Sequence, residues 1–408
     1  MDGVGALAVA SSAMPAIDPA LRREIDELVP ELVAIRHDLH QHPELGFEEH
    51  RTSGVVRAFL ERHGYAPRSS AGTGVIADVQ GASGRRIALR ADMDCLPMPE
   101  RTPLPYRSVY EGRAHKCGHD GHTAVLLGVA ALLARRRAQL PGAVRLLFQP
   151  AEEGVDGGGA RRMVAEGALA GCDEVYGLHN WPGYPFGHVH VKPGAMMAQT
   201  HWLGITVHGK GGHGSQPQVC RDPIVAASQI VVALQSVVAR GLGYDGGAVV
   251  SVCRFSAGTT DNVLPDHAEL EGTIRTFAPA VTERVLARVS EVVHGIAAAM
   301  GVRVELALEP GYPVVDNDAG CAEAVRRVAI ATVGEDCVSD DGLPMAGGED
   351  FAYMAQAVPG AFFFVGTGAA DREVPGCHHP DFDFDDRVIP TALAMFMGVI
   401  ADRLAPSR

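Results

Sequence analysis

The sequence is short of positive charge. Its 408 residues carry 35 Lys and Arg against 49 Asp and Glu, which gives a net charge of −14 at pH 7. Proteins that bind nucleic acids or anionic membranes need a basic surface for the phosphates, so we expect neither partner. Long apolar runs are also missing, since no stretch approaches the roughly 18 uninterrupted apolar residues of a membrane span. Both absences argue against a nucleic-acid-binding or membrane-bound protein.

Cysteines are few, and their spacing is not that of a small disulfide-rich domain. The eight lie at Cys95, Cys117, Cys172, Cys220, Cys253, Cys321, Cys337 and Cys377. This pattern favours reduced thiols and a cytoplasmic location. The apolar, small residues at 5–16 resemble a signal peptide, but they lack a basic beginning and follow Asp2. We therefore expect residues 1–18 to be a disordered leader.

The chain is rich in glycine and in short helix and strand patterns. The 48 glycines and 47% hydrophobic residues indicate an α/β protein, and the length indicates two or three domains. Helix patterns at 19–39 and 52–63 precede strand patterns at 74–79, 86–92, 143–150 and 174–180. From about residue 200 the order becomes strand-helix-strand-strand-helix-strand, which is ferredoxin-like. We expect this domain at 195–308, inserted into a discontinuous domain formed by 19–194 and 309–408.

The stretch 114–123, AHKCGHDGHT, concentrates metal-binding chemistry. It holds one thiol, three imidazoles and a carboxylate, with two glycines that allow a tight turn. A helix pattern at 124–137 follows, so the cluster is predicted on a loop that enters a helix N-terminus. A single Cys or His here would more often be structural, but the clustering favours a metal site.

Further candidates follow predicted strands, where α/β folds place their sites. Asp94 is either a group that orients a ligand imidazole or a solvated loop or capping aspartate. Adjacent side chains leave a turn in different directions, so one of Glu152 and Glu153 can bind a metal while the other faces its water. His179 ends a short strand pattern.

The last third of the chain adds one more candidate beside a turn. His378 precedes a His-Pro pair and is the expected final ligand. Cys377 is a weaker candidate.

In order along the chain, these motifs resemble the two-metal peptidase family that contains aminoacylases, dipeptidases and glutamate carboxypeptidases. The likeness is greatest to its amidohydrolase subgroup of hippurate, N-acyl-amino-acid and indole-acetyl-amino-acid hydrolases. The matching segments are 36–44 (RHDLHQHPE), 89–94 (LRADMD), 115–120 (HKCGHD), 149–154 (QPAEEG), 177–179 (GLH), 211–213 (GGH), 262–265 (NVLP), 272–275 (GTIR), 348–351 (GEDF) and 378–380 (HHP).

The resemblance implies a mixed-sheet catalytic domain of the zinc aminopeptidase type with an inserted α+β ferredoxin-like lid and dimerisation domain. It implies two divalent metal ions, zinc first and manganese, cobalt or nickel as alternatives. The implied ligands are Cys117, His119, Glu153, His179 and His378. Glu152 is the implied general base, and His213 the implied oxyanion donor. Asn262, Arg275 and Glu349 are the implied substrate-binding residues.

The implied activity is metal-dependent hydrolysis of N-acyl-L-amino acids by a cytoplasmic homodimer or higher homo-oligomer that assembles through the lid domain. A dipeptidase or carboxypeptidase is the alternative within the family, because both substrates present an amide and an α-carboxylate. A non-catalytic metal-binding protein is a second alternative. A protein that had lost catalysis while keeping its metal ligands should have lost Glu152 first, however, and Glu152 is present. A metal-independent hydrolase using Cys117 is a third, but it leaves the paired glutamates unexplained.

Overall fold

The computed structural model describes residues 17–82, 84–154, 157–242 and 247–405. Of the expected leader, residues 1–16 therefore lie outside the described part, and the Asp18 side chain accepts a hydrogen bond from Ala20 N at 3.0 Å at the start of the first helix. The chain forms two compact units. The first comprises the chain up to Met196 with Asp316–Leu343 and Tyr353–Arg408, and the second Met197–Val315 with Pro344–Ala352.

The described residues form strands and helices along the whole chain. The strands are β1 (Arg68–Ser70), β2 (Gly74–Val79), β3 (Arg86–Asp92), β4 (Ala143–Gln149), β5 (Glu174–Pro185), β6 (Val189–His190), β7 (Gly194–Met197), β8 (Gln199–His208), β9 (Gly212–His213), β10 (Ala248–Ala257), β11 (Val263–Leu264), β12 (His267–Thr276), β13 (Arg303–Pro310), β14 (Val315–Asn317), β15 (Val338–Ser339) and β16 (Gly360–Gly368). The helices are α1 (Pro19–Gln41), α2 (His50–Arg62), α3 (His119–Arg135), α4 (Gly159–Ala165), α5 (Pro223–Gly241), α6 (Pro279–Met300), α7 (Ala319–Val333), α8 (Phe351–Ala357) and α9 (Ile389–Leu404).

An eight-stranded mixed sheet forms the centre of the first unit among the described residues. Its order is β1-β2-β4-β3-β5-β16-β6-β15, with β4, β3, β5 and β16 running parallel. Every residue of β4 and of β16 is buried. Continuous burial is typical of parallel strands covered on both faces. The sheet confirms the predicted mixed α/β fold.

Helix α3 begins earlier than the sequence pattern predicted. We expected it over 124–137, but it starts at His119, so this candidate ligand lies in the first helical turn and not on the preceding loop. Residues 119–133 are all buried, so the helix has no exposed face. Because periodicity arises from one polar face, it gives no sign of where such a helix starts.

The second unit carries a four-stranded antiparallel sheet of order β10-β12-β8-β13. Helices α5 and α6 pack on this sheet and on each other. Apart from the two-residue strands β9 and β11, the elements along the chain run β8-α5-β10-β12-α6-β13, which confirms the predicted ferredoxin-like order. The core of this unit is separate from that of the first and includes Ile205, Ile230, Leu270 and Val289.

Helix α5 is unusually apolar. Within the described residues it is the one helix long and apolar enough to cross a membrane, by length and composition only, and 28% of the segment concerned is buried. Its run is interrupted by Ser228, Gln229 and Gln235. The buried positions belong to the core of the second unit, whereas Val232 is 68% exposed.

Candidate metal centre

Neighbouring strands of the first unit bring the predicted ligands together. Cys117 precedes α3 and His119 begins it, Glu153 follows β4, His179 lies in β5, and His378 follows β16. Strand β5 continues to Pro185, so His179 lies within the strand and not at its end as predicted. Strands β4, β3, β5 and β16 are adjacent and parallel, and their carboxyl-terminal parts meet at one edge, where α/β folds place their sites.

The ligand atoms form overlapping groups whose members lie within 4.8 Å of one another. One group is Cys117, His119 and His179, and a second is Cys117, Glu153 and His378. The Cys117 Sγ lies 3.3 Å from His179 Nε2, and Glu153 Oε1 lies 3.2 Å from His378 Nε2. Two groups that share one thiol suit a pair of neighbouring cations.

Two buried atoms in this cluster have unmet bonding capacity. Although Glu153 Oε1 lies near His378 Nε2, His119 Nε2 and Glu153 Oε1 are buried and make no hydrogen bond of normal geometry among the described residues. They lie 3.9 Å apart. Leaving buried polar atoms unsatisfied costs free energy, whereas a cation between them would satisfy both. The side chains present therefore fit a metal ion.

Asp94 orients two of the predicted ligands. Its backbone carbonyl and its Oδ1 lie 2.9 and 3.2 Å from His119 Nδ1, so that ring directs Nε2 into the cluster. Its Oδ2 accepts the backbone N–H of Glu153 at 3.0 Å. Asp94 is 1% exposed, so the solvated-loop alternative is wrong. Hydrogen bonding of this kind fixes the tautomer and ring orientation of a metal-binding histidine.

Burial sets the protonation of two cluster members. Burial, and then electrostatic repulsion by the neighbouring His122, hold the pKa of His179 well below its usual value, so this imidazole is neutral, as a metal ligand must be. The hydrogen bond with Cys377, and then burial, raise the pKa of Cys117 well above the ordinary thiol value. An unaided cysteine nucleophile needs a lowered thiol pKa, whereas a thiol that binds a cation loses its proton to that cation.

Gly118 allows the ligand loop to lie against β5. Its φ is +98°, in the left-handed region, and a Cβ there would lie 2.0 Å from Asn180 Oδ1. That oxygen lies 2.7 Å from His122 Nε2, while His122 Nδ1 lies 2.7 Å from Asp92. Only glycine meets both the dihedral and the space requirement at this position.

Glu49 supports the site but was missed in the sequence. Its side chain is fully buried, and its Oε1 accepts the backbone N–H of Ala151 at 2.8 Å. Ala151 has a φ of +52° and directly precedes Glu152. Burial, and then the charge of Asp94, raise the pKa of Glu49 to about 7. Because Glu49 lies 102 residues from Ala151, no local pattern marks it.

Glu152 lies in the same cluster as the predicted ligands. It is 7% exposed, and one of its carboxylate oxygens belongs to a group with His119 and Glu153 in which all ligand atoms lie within 4.8 Å. Of the adjacent glutamates, Glu153 also meets His378, as described above. Glu152 and Glu153 thus lie at two different positions within one cluster of candidate metal-binding side chains.

The other predicted residues belong to the second unit. His213 in β9 pairs with Val263 in β11, and Asn262 precedes that strand, so both lie on one small exposed ribbon. Arg275 Nε donates to the Ala346 carbonyl at 3.1 Å. Glu349 is 1% exposed, and its Oε1 accepts from Phe351 N at 2.8 Å. Their roles toward substrate stay predictions.

Comparison with known proteins agrees with this geometry. The model of peptidase family M20/M25/M40 matches residues 88–402. An N-acetylcysteine deacetylase of Bacillus subtilis is 42% identical over 370 residues, covering 90% of this chain and 94% of that protein. Thermostable carboxypeptidase 1 of Saccharolobus solfataricus is 36% identical, with 88% and 91% covered. The crystal structure of the B. subtilis YxeP protein, named a dinuclear metal-binding peptidase of the M20 family, superposes with a TM-score of 0.78 at 38% identity, covering 92% of this chain and 98% of that one.

Proposed function

Because the chain belongs to peptidase family M20/M25/M40, we propose that it hydrolyses the amide bond of N-acyl-L-amino acids. The acyl group is acetyl or an aromatic acyl such as benzoyl, and the products are a carboxylic acid and a free amino acid. The observation that carries the proposal is the placement of buried Glu152 within the group formed with His119 and Glu153, beside the thiol and the remaining imidazoles.

The proposed ligands are Cys117, His119, Glu153, His179 and His378, which would hold two divalent cations. When bound, such cations polarise an amide carbonyl and lower the pKa of a water molecule. The thiol of Cys117 favours zinc, and the carboxylate and imidazoles also suit manganese, cobalt or nickel.

Glu152 is the proposed general base. Its carboxylate takes a proton from water and delivers it to the departing nitrogen. In the second unit, His213 is proposed to donate to the oxyanion, and Asn262, Arg275 and Glu349 to hold the substrate. The ribbon that joins His213 to Asn262 supports a shared task for these two residues, since Gly214 N donates to Asn262 O at 2.8 Å.

The test is amine release from N-acetyl-amino acids, N-benzoyl-amino acids and dipeptides. The protein is stripped with a chelator and assayed with and without Zn²⁺, Mn²⁺ or Co²⁺. Glu152→Gln should retain bound metal and lose turnover by about 10²- to 10⁴-fold, the usual contribution of a general base. Near-full hydrolysis by this variant with metal bound would contradict the proposal, and turnover that is insensitive to chelators would favour a metal-independent enzyme.

A dipeptidase or carboxypeptidase is the second candidate function. The 36% identity to a protein named thermostable carboxypeptidase 1 supports it. The same panel decides between the two, because the better substrate is either the N-acyl amino acid or the dipeptide.

We also propose a homodimer formed through the second unit. Large apolar side chains are exposed on α5 and on the edge strand β10, including Val225, Val232, Val249 and Phe255. Large exposed apolar side chains and an unpaired sheet edge are both typical of an interface. Val232→Glu should shift the sedimentation coefficient to that of a monomer, whereas a wild-type monomer would contradict the proposal.

A cytoplasmic location is proposed from the thiols. All eight cysteines are free in the structure, and a reducing compartment keeps them so.

A further inference from the structure

Lys116 has an unusual environment between two residues of the metal-binding motif. Its side chain is completely buried, beside the candidate ligand Cys117. The Lys116 Nζ donates to Glu100 Oε1 at 2.7 Å and to the Phe382 carbonyl at 2.8 Å. Burying an ammonium costs several kcal/mol of desolvation unless it is paired. Such a costly group in this position suggests a specific task.

The backbone of Lys116 contacts the same distant segment as its side chain. The Lys116 carbonyl accepts the backbone N–H of His378 at 2.6 Å. Lys116 therefore binds the turn at 378–382 at both ends, through its carbonyl and through its ammonium. This turn carries the candidate ligand His378.

His378 depends on that support. Its φ of +66° lies in the left-handed region, which costs a non-glycine residue about 1–2 kcal/mol. Its side chain is 55% exposed, so packing contributes little to its position. The hydrogen bonds made by Lys116 are therefore a main restraint on where this imidazole lies.

Glu100, the carboxylate that accepts from Lys116 Nζ, is itself held by several hydrogen bonds. Besides Lys116, the Glu100 carboxylate accepts the backbone N–H of Ser108 at 2.7 Å, and its Oε1 lies 3.0 Å from His40 Nε2. These partners hold the pKa of Glu100 well below its usual range, so it remains a carboxylate. His40 Nδ1 in turn lies 2.8 Å from Asp120, in the first turn of α3.

A second cation holds the far side of the turn. Arg36 in α1 is fully buried and donates to Asp383 at 2.8 Å and to Asp386 at 2.7 Å. Its Nη1 also lies 3.4 Å from Asp120 Oδ2. The segment after His378 is thus tied by Lys116 to the ligand loop and by Arg36 to α1.

We propose that Lys116 is a positioning residue for the metal ligand His378. By binding the turn at 378–382, it sets the distance from the His378 imidazole to Cys117 and Glu153. The inference rests on the proposed two-metal site and adds a residue that does not touch the metal. Removing groups that orient ligands costs 10- to 100-fold in metal affinity. We expect that loss in the metal position that uses His378.

The experiment is a Zn²⁺ titration of the chelator-stripped full chain, followed by calorimetry and by competition with a chromophoric chelator. Wild type should bind two ions. His378→Ala should weaken one of them, which identifies the position. Lys116→Met keeps the alkyl volume but removes the ammonium, and it should weaken the same ion by about 10- to 100-fold while leaving the other unchanged.

Arg145→Met is the matched control. Arg145 is also buried, pairs with Asp78 at 2.8 Å and donates to the Ala168 carbonyl at 2.9 Å, but it lies on β4 and contacts none of the proposed ligands. It should lower the melting temperature and leave both Zn²⁺ affinities at the wild-type values. Equal losses of affinity in the Lys116 and Arg145 variants would overturn the inference, because they would indicate general destabilisation.

Other outcomes separate the inference from the function on which it rests. Wild-type affinities for both ions in Lys116→Met would refute the positioning role and leave the two-metal site standing. A wild-type protein that does not bind two ions would refute the site itself. If Lys116→Met does not fold, the double variant Lys116→Met with Glu100→Gln, which removes the buried cation and its anion together, is compared with Glu100→Gln alone. The comparison is needed because Glu100 also contacts His40 and Ser108.

Discussion

The buried carboxylate of Glu49 should make the stability of the first unit depend on pH. Its pKa rises from 4.5 to about 7 because burial, and then the charge of Asp94, disfavour ionisation. The folded state therefore binds this proton more tightly than the unfolded state. The stabilisation is fully present below about pH 4.5 and is lost as the pH rises through about 7.

The size of the effect follows from the shift. A change of one pKa unit corresponds to about 1.4 kcal/mol, so a shift to about 7 corresponds to roughly 3 kcal/mol of unfolding free energy. Glu49→Gln should remove this pH dependence. The glutamine oxygen can still accept the Ala151 N–H, and its amide can contact Thr73, whose hydroxyl lies 2.5 Å from Glu49 Oε2.

The assay is urea unfolding of metal-free protein at pH values from about 4.5 to 8. A Trp202→Phe background leaves Trp181 as the reporter of the first unit, and Trp202 is 65% exposed, so its loss is harmless. Glu48→Gln is the control, because the neighbouring Glu48 side chain is 56% exposed and pairs with Arg113. If Glu49→Gln and wild type lose the same stability over this range, the assigned burial effect is wrong.

Two further predictions concern the scaffold around the cluster. Gly118→Ala should lower the unfolding free energy by more than the roughly 1–2 kcal/mol of left-handed strain, because its Cβ would also lie 2.0 Å from Asn180 Oδ1. The control is Gly54→Ala, which has open space around its Cβ and should not destabilise the protein. Urea unfolding measures the unfolding free energy of both variants. Burial opposes the charge on His40, but Asp120 and Glu100 raise its pKa to about 9, so its stabilisation is full below about pH 6.5 and is lost as the pH rises through about 9. His40→Gln should abolish that loss, of about 3 kcal/mol, in the same urea assay extended to about pH 10, and an unchanged pH profile would contradict the assignment.

Local patterns in the sequence were sufficient for much of the secondary structure. The strand predictions at 74–79 and 86–92 coincide with β2 and β3, because buried, β-branched runs bounded by turn residues carry their own signal. The order of the ferredoxin-like elements was also readable. Helix α9 and the true start of α3 were not predicted, because helices that pack on several sides lack a polar face. Helix α7 was also not predicted, although Glu323, Arg326 and Arg327 give it an exposed polar face.

The chemistry of the centre was likewise readable as residue types, since the thiol, imidazoles and paired glutamates are concentrated in short motifs. Only the tertiary structure decided which side chains hold these thiol, imidazole and carboxylate groups in position. Glu49 reaches Ala151 across 102 residues, and Lys116 reaches Phe382 across 266. These side chains are costly to bury and gain their partners only when distant segments meet, so no local pattern can mark them. The sequence thus determined the candidate ligands, and the tertiary structure determined which groups support them.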